Sequence, residues 1–256
     1  MKKGVRNILY LGLLVVLIIG FGSIAVLCRA GRDAKKCHSV IVNIAESYRF
    51  VTEEDVVNRL KKGYGDCIGM HLDSLKLHKI EEIIDGEGAV KKSQAYITED
   101  GVLHIHVTQR EPFVRLQGED FGFYVDHDGY IFPLQQNYTS HVAVVDGHIP
   151  VNIPVGFKGM APHKGEQEWI NGIISMLDFM HGSIWDKNIV QIHVQEGGQL
   201  CLVPREGKEM FLFGKPVEVS EKFDRIEKYY GFIKPTVEED HYTKVDVRYD
   251  GQIVCK

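Results

Sequence analysis

The sequence predicts an α+β protein with one N-terminal transmembrane helix, a unit of order βααββ, and a mixed, mainly antiparallel β domain with flanking helices. Three observations support this class: one long uncharged apolar run, strand-type alternation that recurs from residue 38 onward, and four segments with apolar residues at helical spacing. The predicted divisions are a short cytoplasmic tail (1–7), the transmembrane helix (8–28), a basic linker (29–37), the first unit (38–110) and the second unit (111–256).

The apolar run from Ile8 to Cys28 is 21 residues long and contains no charged side chain. A helix rising about 1.5 Å per residue would span roughly 30 Å here, which is the thickness of a bilayer's hydrocarbon core. A cleaved signal peptide would have a shorter apolar core of about 7–15 residues. A lipoprotein signal would place a small residue where Leu27 stands. The short tail and the large following part favour an uncleaved signal-anchor with the C-terminus outside the cytoplasm.

The charge is unevenly distributed along the chain. Residues 1–37 contain seven basic residues and one acidic residue, and the remainder has 23 basic against 34 acidic residues, a net charge of −11. An acidic body repels phosphate, so the composition argues against a nucleic-acid-binding protein. The basic residues flank the apolar run, where they would meet lipid headgroups.

The five cysteines do not have the spacing of a metal site. Cys28 lies in the apolar run, the other four are far apart, and no CxxC pair is present. The sequence leaves open whether Cys37 and Cys67 form a disulfide. An oxidising compartment would permit it, but a chain of this size does not require one.

The first unit has the pattern strand, helix, helix, strand, strand. A strand is expected at 38–45, and a capping box at Thr52-Glu53-Glu54-Asp55 begins the first helix. A second helix follows at 73–85, and strands at 90–98 and 103–108 flank an Asp-Gly turn. Two helices on one face of a three-stranded sheet resemble a POTRA domain, a fold that binds other polypeptides.

The second unit alternates turns and short strands with two helices. The first is expected at 166–182 and the second at 220–233, each with one apolar face. The predicted strands are a hairpin at 123–132 with its turn at 126–129, then 141–145, 189–194, 200–203 and 210–213, and finally a strand pair or one long strand within 242–254.

Four motifs, in order, resemble the bacterial cell-division family FtsQ/DivIB. The segment 103–112 is similar to the family's strand ending in Glu-Arg-x-Pro, although here Arg110 precedes Glu111. The hairpin 124–132 resembles Val-Asp-x-x-Gly-x-Val-Phe, and Phe213-Gly214 with Lys222-Phe223 resembles a Leu-Gly and Lys-Phe pair. The segment 245–251 is similar to the terminal Asp-Leu-Arg-Tyr-x-x-Gly strand. The family's Trp-Pro is replaced by residues 98–101.

The resemblance implies a non-enzymatic scaffold of the divisome, in the cytoplasmic membrane and at the division septum. It implies partners that are bitopic coiled-coil proteins like FtsB and FtsL, other divisome membrane proteins, and the bilayer through residues 8–28. The C-terminal strand would add to a partner's strand. The expected partner-binding residues are Arg248, Tyr249, Asp250, Gly251, Gln252, Ile253 and Val254. Whether Tyr249 and Ile253 face a partner or the core stays open.

The residues themselves favour no catalytic, cofactor or metal site. His104 and His106 share one face of a strand, but a third ligand is missing from the pattern and HExxH is absent. Asp126 and Asp128 suit a turn better than a calcium loop, because the other calcium ligands are lacking. Two alternative functions are a cell-envelope enzyme and a POTRA-type chaperone or secretion accessory.

Overall fold

The structure is a computed structural model that describes residues 12–24, 35–45, 48–135, 138–238 and 241–256. Helix α1 covers 12–24, within the predicted membrane span. The tail 1–7, both ends of that span (8–11 and 25–28) and linker residues 29–34 lie outside the described residues. Among the helices that are described, none is both long and apolar enough to cross a bilayer.

The described residues form two compact units, one within 1–47 and 51–109 and the other within 48–50 and 110–256. In the first unit, the strands are β1 (Ser39–Ile44), β2 (Val90–Ile97) and β3 (Val102–Gln109), and the helices are α2 (Glu53–Gly63) and α3 (Leu77–Asp85). The sheet has the order β1-β3-β2, with β1 parallel and β2 antiparallel to β3. This confirms the βααββ order expected from the sequence.

Local sequence accounts for most of this unit. The Thr52 hydroxyl accepts from the Asp55 amide at 3.2 Å, and the Asp55 carboxylate accepts from the Thr52 amide at 3.0 Å, which completes the capping box. Alternate residues of β3 face the helices and are buried, whereas His104 and His106 lie on the opposite face. The predicted helix at 73–85 is wrong at its start. A 3-10 turn covers Leu72–Ser74, and Lys76 is non-helical before α3 begins.

The second unit has helices α4 (Lys164–Met180), α5 (Ile184–Asn188) and α6 (Val219–Lys228). Its nine-stranded sheet, counted over the described residues, has the order β12-β11-β10-β9-β8-β7-β4-β5-β6. Three neighbouring pairs are parallel and five are antiparallel, so the sheet is mixed and mainly antiparallel as expected. The strands are β4 (Pro112–Gln117), β5 (Gly122–Asp126), β6 (Ile131–Pro133), β7 (Ala143–Gly147), β8 (Ile189–Gln195), β9 (Gln199–Pro204), β10 (Met210–Gly214), β11 (Lys244–Asp246) and β12 (Val254–Cys255).

Two helices cover the core of this sheet. The apolar face of α4 is buried, including Trp169, whose ring N–H donates to the Gly198 carbonyl at 2.9 Å. The predicted helix at 220–233 changes type after Lys228. Residues Tyr229–Ile233 form a π-helical turn, which places Tyr229 in the core and leaves Tyr230 only partly buried.

A buried ion pair holds the β5–β6 hairpin. Asp126 is 4% exposed, and its carboxylate accepts from the amides of Asp128 and Tyr130 at 3.0 and 2.9 Å. The Arg110 guanidinium donates to the same carboxylate at 2.7 Å and lies 3.4 Å from the centroid of the Tyr130 ring. The acid of the Val-Asp-x-x-Gly motif therefore closes a turn and neutralises a buried arginine.

Candidate partner-binding edge

The candidate site is the C-terminal edge of the nine-stranded sheet. Strand β11 is parallel to β10, with Phe211 opposite Val245, and it is antiparallel to β12, with Val245 opposite Cys255. Strand β12 is the last strand of the sheet, so among the described residues no strand lies on its outer side.

The hydrogen bonds show which backbone groups of β12 face outward. Lys244 and Lys256 exchange two bonds, at 3.0 and 2.9 Å, and form a hydrogen-bonded antiparallel pair. Such pairs alternate with non-bonded ones along an antiparallel ladder. The N–H and C=O of Cys255 therefore point away from β11, toward the free side of the sheet. An incoming strand would meet one donor and one acceptor at this residue.

A charged turn connects β11 to β12. Asp246 is buried and accepts from Arg248 Nε at 2.9 Å and Nη2 at 2.6 Å, and also from the Arg248 amide at 3.1 Å. Burial alone would raise the pKa of the Asp246 carboxyl, but the hydrogen bonds and charge of Arg248 outweigh it and hold the pKa below its usual value. The bond to Asp246 raises the pKa of Arg248 in turn. The pair thus stays ionised and fixes the start of the turn.

Helix α6 contacts the same turn through the side chain of Arg225. Arg225, with a side chain 8% exposed, donates through Nε to the Val247 carbonyl at 3.0 Å and through Nη1 to Asp250 at 3.4 Å. Its Nη2 atom is buried and has no hydrogen-bond partner among the described residues. A groove of about 400 Å³ lies beside Arg225, lined by residues of α6, Ile233 and the turn from Asp250 to Ile253. The groove therefore lies next to the residues that lead into β12.

The structure does not place the seven predicted partner-binding residues on one strand. Only Val254 belongs to a strand, and the extended, alternating geometry predicted for Arg248–Ile253 is wrong. The reason is local: Asp246 holds the Arg248 amide, and Gly251 has a φ of +68°, which bends the chain back. The expectation of a terminal strand pair is confirmed by β11 and β12.

Tyr249 and Ile253 point to different surroundings in the turn. Tyr249 is 48% exposed, with the Arg248 guanidinium 5.6 Å from its ring centroid, so it is available to a partner. Ile253 is partly buried and packs against the core of the unit. Sequence reasoning missed Arg225 and Cys255, because only the tertiary fold brings α6 and the last strand to this edge.

The other residues considered for chemistry have structural partners. The Tyr96 ring stacks on His104 and His106, with centroids 4.9 and 5.6 Å apart. Asp126 binds Arg110 and two amides, as described above. Within the described part of the chain, no group of three or more His, Cys, Asp or Glu side chains is arranged to hold a metal ion.

Comparison with known families assigns both units. The model described as "FtsQ/DivIB, C-terminal related" matches residues 111–256, more than half of the chain. The chain belongs to the FtsQ/DivIB family. A second model, described as a POTRA-like domain, matches residues 35–108 of this FtsQ/DivIB protein. A search of the curated proteins found no match.

Membership of the FtsQ/DivIB family indicates the protein's general role. FtsQ/DivIB is a non-enzymatic division protein family, and its domains imply a scaffold role in cell division at the septum. The matched segment contains the whole of β11, the charged turn and β12.

Proposed function

We propose that this protein is a membrane-anchored scaffold of the divisome whose C-terminal edge docks a bitopic FtsB/FtsL-like partner by strand addition. The observation that carries this proposal is the outer side of β12, where the backbone groups of Cys255 face away from the sheet. Strand addition uses main-chain bonds for affinity and side chains for specificity. Tyr249 and the groove beside Arg225 supply such side-chain contacts.

The anchor and the location belong to the same proposal. The uncharged run at 8–28 supports a single membrane span in the cytoplasmic membrane, with both folded units outside the cytoplasm and the protein concentrated at the septum. Other divisome membrane proteins are further partners.

Site-specific photocrosslinking in cells tests this function. The crosslinker is placed at Tyr249 or Gln252, both exposed in the turn, and at Val155 as a matched exposed control in the same unit. We expect small single-pass coiled-coil proteins to be captured from the turn and not from position 155.

Two results would contradict the proposal. Capture of cell-wall precursors alone would favour the envelope enzyme. Capture of many unrelated polypeptides at equal yield from both regions would favour the chaperone or secretion accessory.

A further inference from the structure

Two cysteines of the first unit are brought together by the backbone. The Cys37 amide donates to the Met70 carbonyl at 2.9 Å, and the Gly69 amide donates to the Cys37 carbonyl at 2.7 Å. The Met70 amide donates to the Cys67 carbonyl at 3.2 Å and closes a tight turn. Cys37 is thus paired with one end of a turn whose other end is Cys67.

The two side chains share one buried environment. Cys37 is 1% exposed and Cys67 is 2% exposed, and both are free thiols in this structure. Burial, together with the nearby Cys37 thiol and Asp66, raises the pKa of Cys67 to about 11. The backbone bonds described above bring the two residues into one buried turn region, and the Cys37 thiol, which donates to the Ser39 carbonyl at 3.4 Å, would exchange that weak bond for a disulfide.

The remaining described cysteines show that this proximity is specific. Cys201 lies on β9 and Cys255 on β12, three strands apart in the sheet. Neighbouring strands are about 4.8 Å apart, so these two Cα atoms are separated by roughly 14 Å. A disulfide requires a Cα separation below about 7 Å. Cys201 and Cys255 therefore cannot be joined without breaking the sheet.

We propose that Cys37 and Cys67 form a disulfide that encloses β1 and α2 in one covalent loop. This rests on the extracytoplasmic placement in the proposed function, because disulfides persist in oxidising compartments. The bond would tie the segment before β1 to the turn after α2. It would raise the unfolding temperature of the first unit by on the order of 10 °C, through loss of freedom in the unfolded chain.

The chemistry is a thiol–disulfide exchange with an oxidised thiol oxidoreductase. One cysteine thiolate attacks a sulfur of the oxidoreductase disulfide and forms a mixed disulfide, releasing one thiolate of the oxidoreductase. The second cysteine thiolate then displaces the oxidoreductase. The two cysteines lose two protons and two electrons, and the oxidoreductase leaves as a dithiol. Because both thiols are buried after folding, the exchange takes place while the unit is still folding.

The test uses the full chain in cells that are quenched with acid. Free thiols are then alkylated under denaturing conditions, and peptides are analysed by mass spectrometry with and without reductant. We expect one linked pair containing Cys37 and Cys67, lighter by two hydrogen atoms than the separate peptides, while Cys201 is alkylated. A Cys201→Ala variant should keep the link, and a Cys67→Ala variant should leave Cys37 alkylated. Alkylation of both Cys37 and Cys67 in the wild-type chain would overturn the proposal.

A second measurement locates the cause of such a failure. The reduced full chain is refolded in buffers of oxidised and reduced glutathione and analysed in the same way. If both thiols stay free there as well, the pairing itself is wrong and the scaffold proposal is untouched. If the link forms only in the glutathione buffer, the two cysteines can pair but the cell does not oxidise them, so the disulfide proposal is overturned and the scaffold proposal is left to the crosslinking test. The wild-type readout needs no variant, so misfolding of a substituted chain does not affect it.

Discussion

Replacing Cys255 with proline would remove the outward N–H of β12 while leaving the bonds between β11 and β12 intact. Proline has no backbone donor, and edge strands tolerate it where the N–H faces solvent. The inward positions of this strand pair are Lys256, which exchanges bonds with Lys244 and accepts from Thr243, and Val254, which lies opposite Asp246; the Cys255 amide between them faces outward. We therefore expect Cys255→Pro to fold normally and to bind the partner weakly.

The expected loss follows from one unsatisfied hydrogen bond. A partner carbonyl buried at this edge without a donor costs about 1–3 kcal/mol. That cost corresponds to a Kd raised by roughly 5- to 150-fold. The Cys255→Ala variant keeps the amide and removes only the sulfur, so its Kd should stay within a few-fold of wild type.

Isothermal titration measures the Kd of each protein. The extracytoplasmic part is titrated with the soluble part of the FtsB-like partner from the same genome. Urea unfolding followed by circular dichroism gives the free energy of unfolding for each variant. Val254→Pro is the contrasting substitution, because the Val254 amide faces β11 and its loss should destabilise the strand pair. Unchanged affinity in a well-folded Cys255→Pro protein would refute the assignment of β12 as the docking strand.

Three further predictions concern stability. Asp126→Ala should lower the free energy of unfolding by about 3–5 kcal/mol, because it leaves Arg110 buried without its partner. Denaturant unfolding should show a smaller loss of stability for the double variant that also carries Arg110→Met. An equal or larger loss in the double variant would count against a charge effect. Thr52→Ala should lower the free energy of unfolding by about 0.5–2 kcal/mol through loss of the α2 cap. Amide hydrogen exchange should report faster opening of α2, with β11 unaffected. The contribution of Asp246 should be fully present above the ordinary carboxyl pKa of about 4 and should disappear as pH falls through the lower pKa of the folded state; an Asp246→Asn variant whose stability has the same pH dependence as wild type would contradict this.

Local signals in the sequence predicted the elements that local chemistry controls. The capping box at Thr52 marked the start of α2 because its two hydrogen bonds lie within four residues. The apolar face of α4 was equally clear, because Ile173 and Leu177 repeat at helical spacing and both are buried.

Features set by distant contacts were not predictable from the pattern. The break at Lys76 leaves the helical spacing of apolar residues on either side unchanged. The π-helical turn shifts the inward position to Tyr229, a change that an α-helical period cannot indicate. The parallel pairs β4–β7 and β10–β11 join segments that are far apart in the chain, so neither is visible in any local window.

The sequence predicted which segment forms the candidate edge, but it predicted a strand where the structure has a turn. The alternation of polar and apolar residues from Arg248 to Ile253 is what a strand would show. The carboxylate of Asp246 and the left-handed conformation of Gly251 convert it into a turn. Arg225 was missed because it lies on α6, more than twenty residues earlier in the chain.

The brevity of β12 bears on how the free protein avoids association with its own copies. A long, flat edge strand pairs readily with any similar strand and promotes aggregation. Strand β12 has two residues, Val254 and Cys255, and Lys256 follows it. Two residues supply too few main-chain bonds for stable self-pairing, and the lysines of two copies would repel each other when their edges meet. An edge this short therefore favours a strand whose side chains also contact Tyr249 and the groove over a second copy of β12.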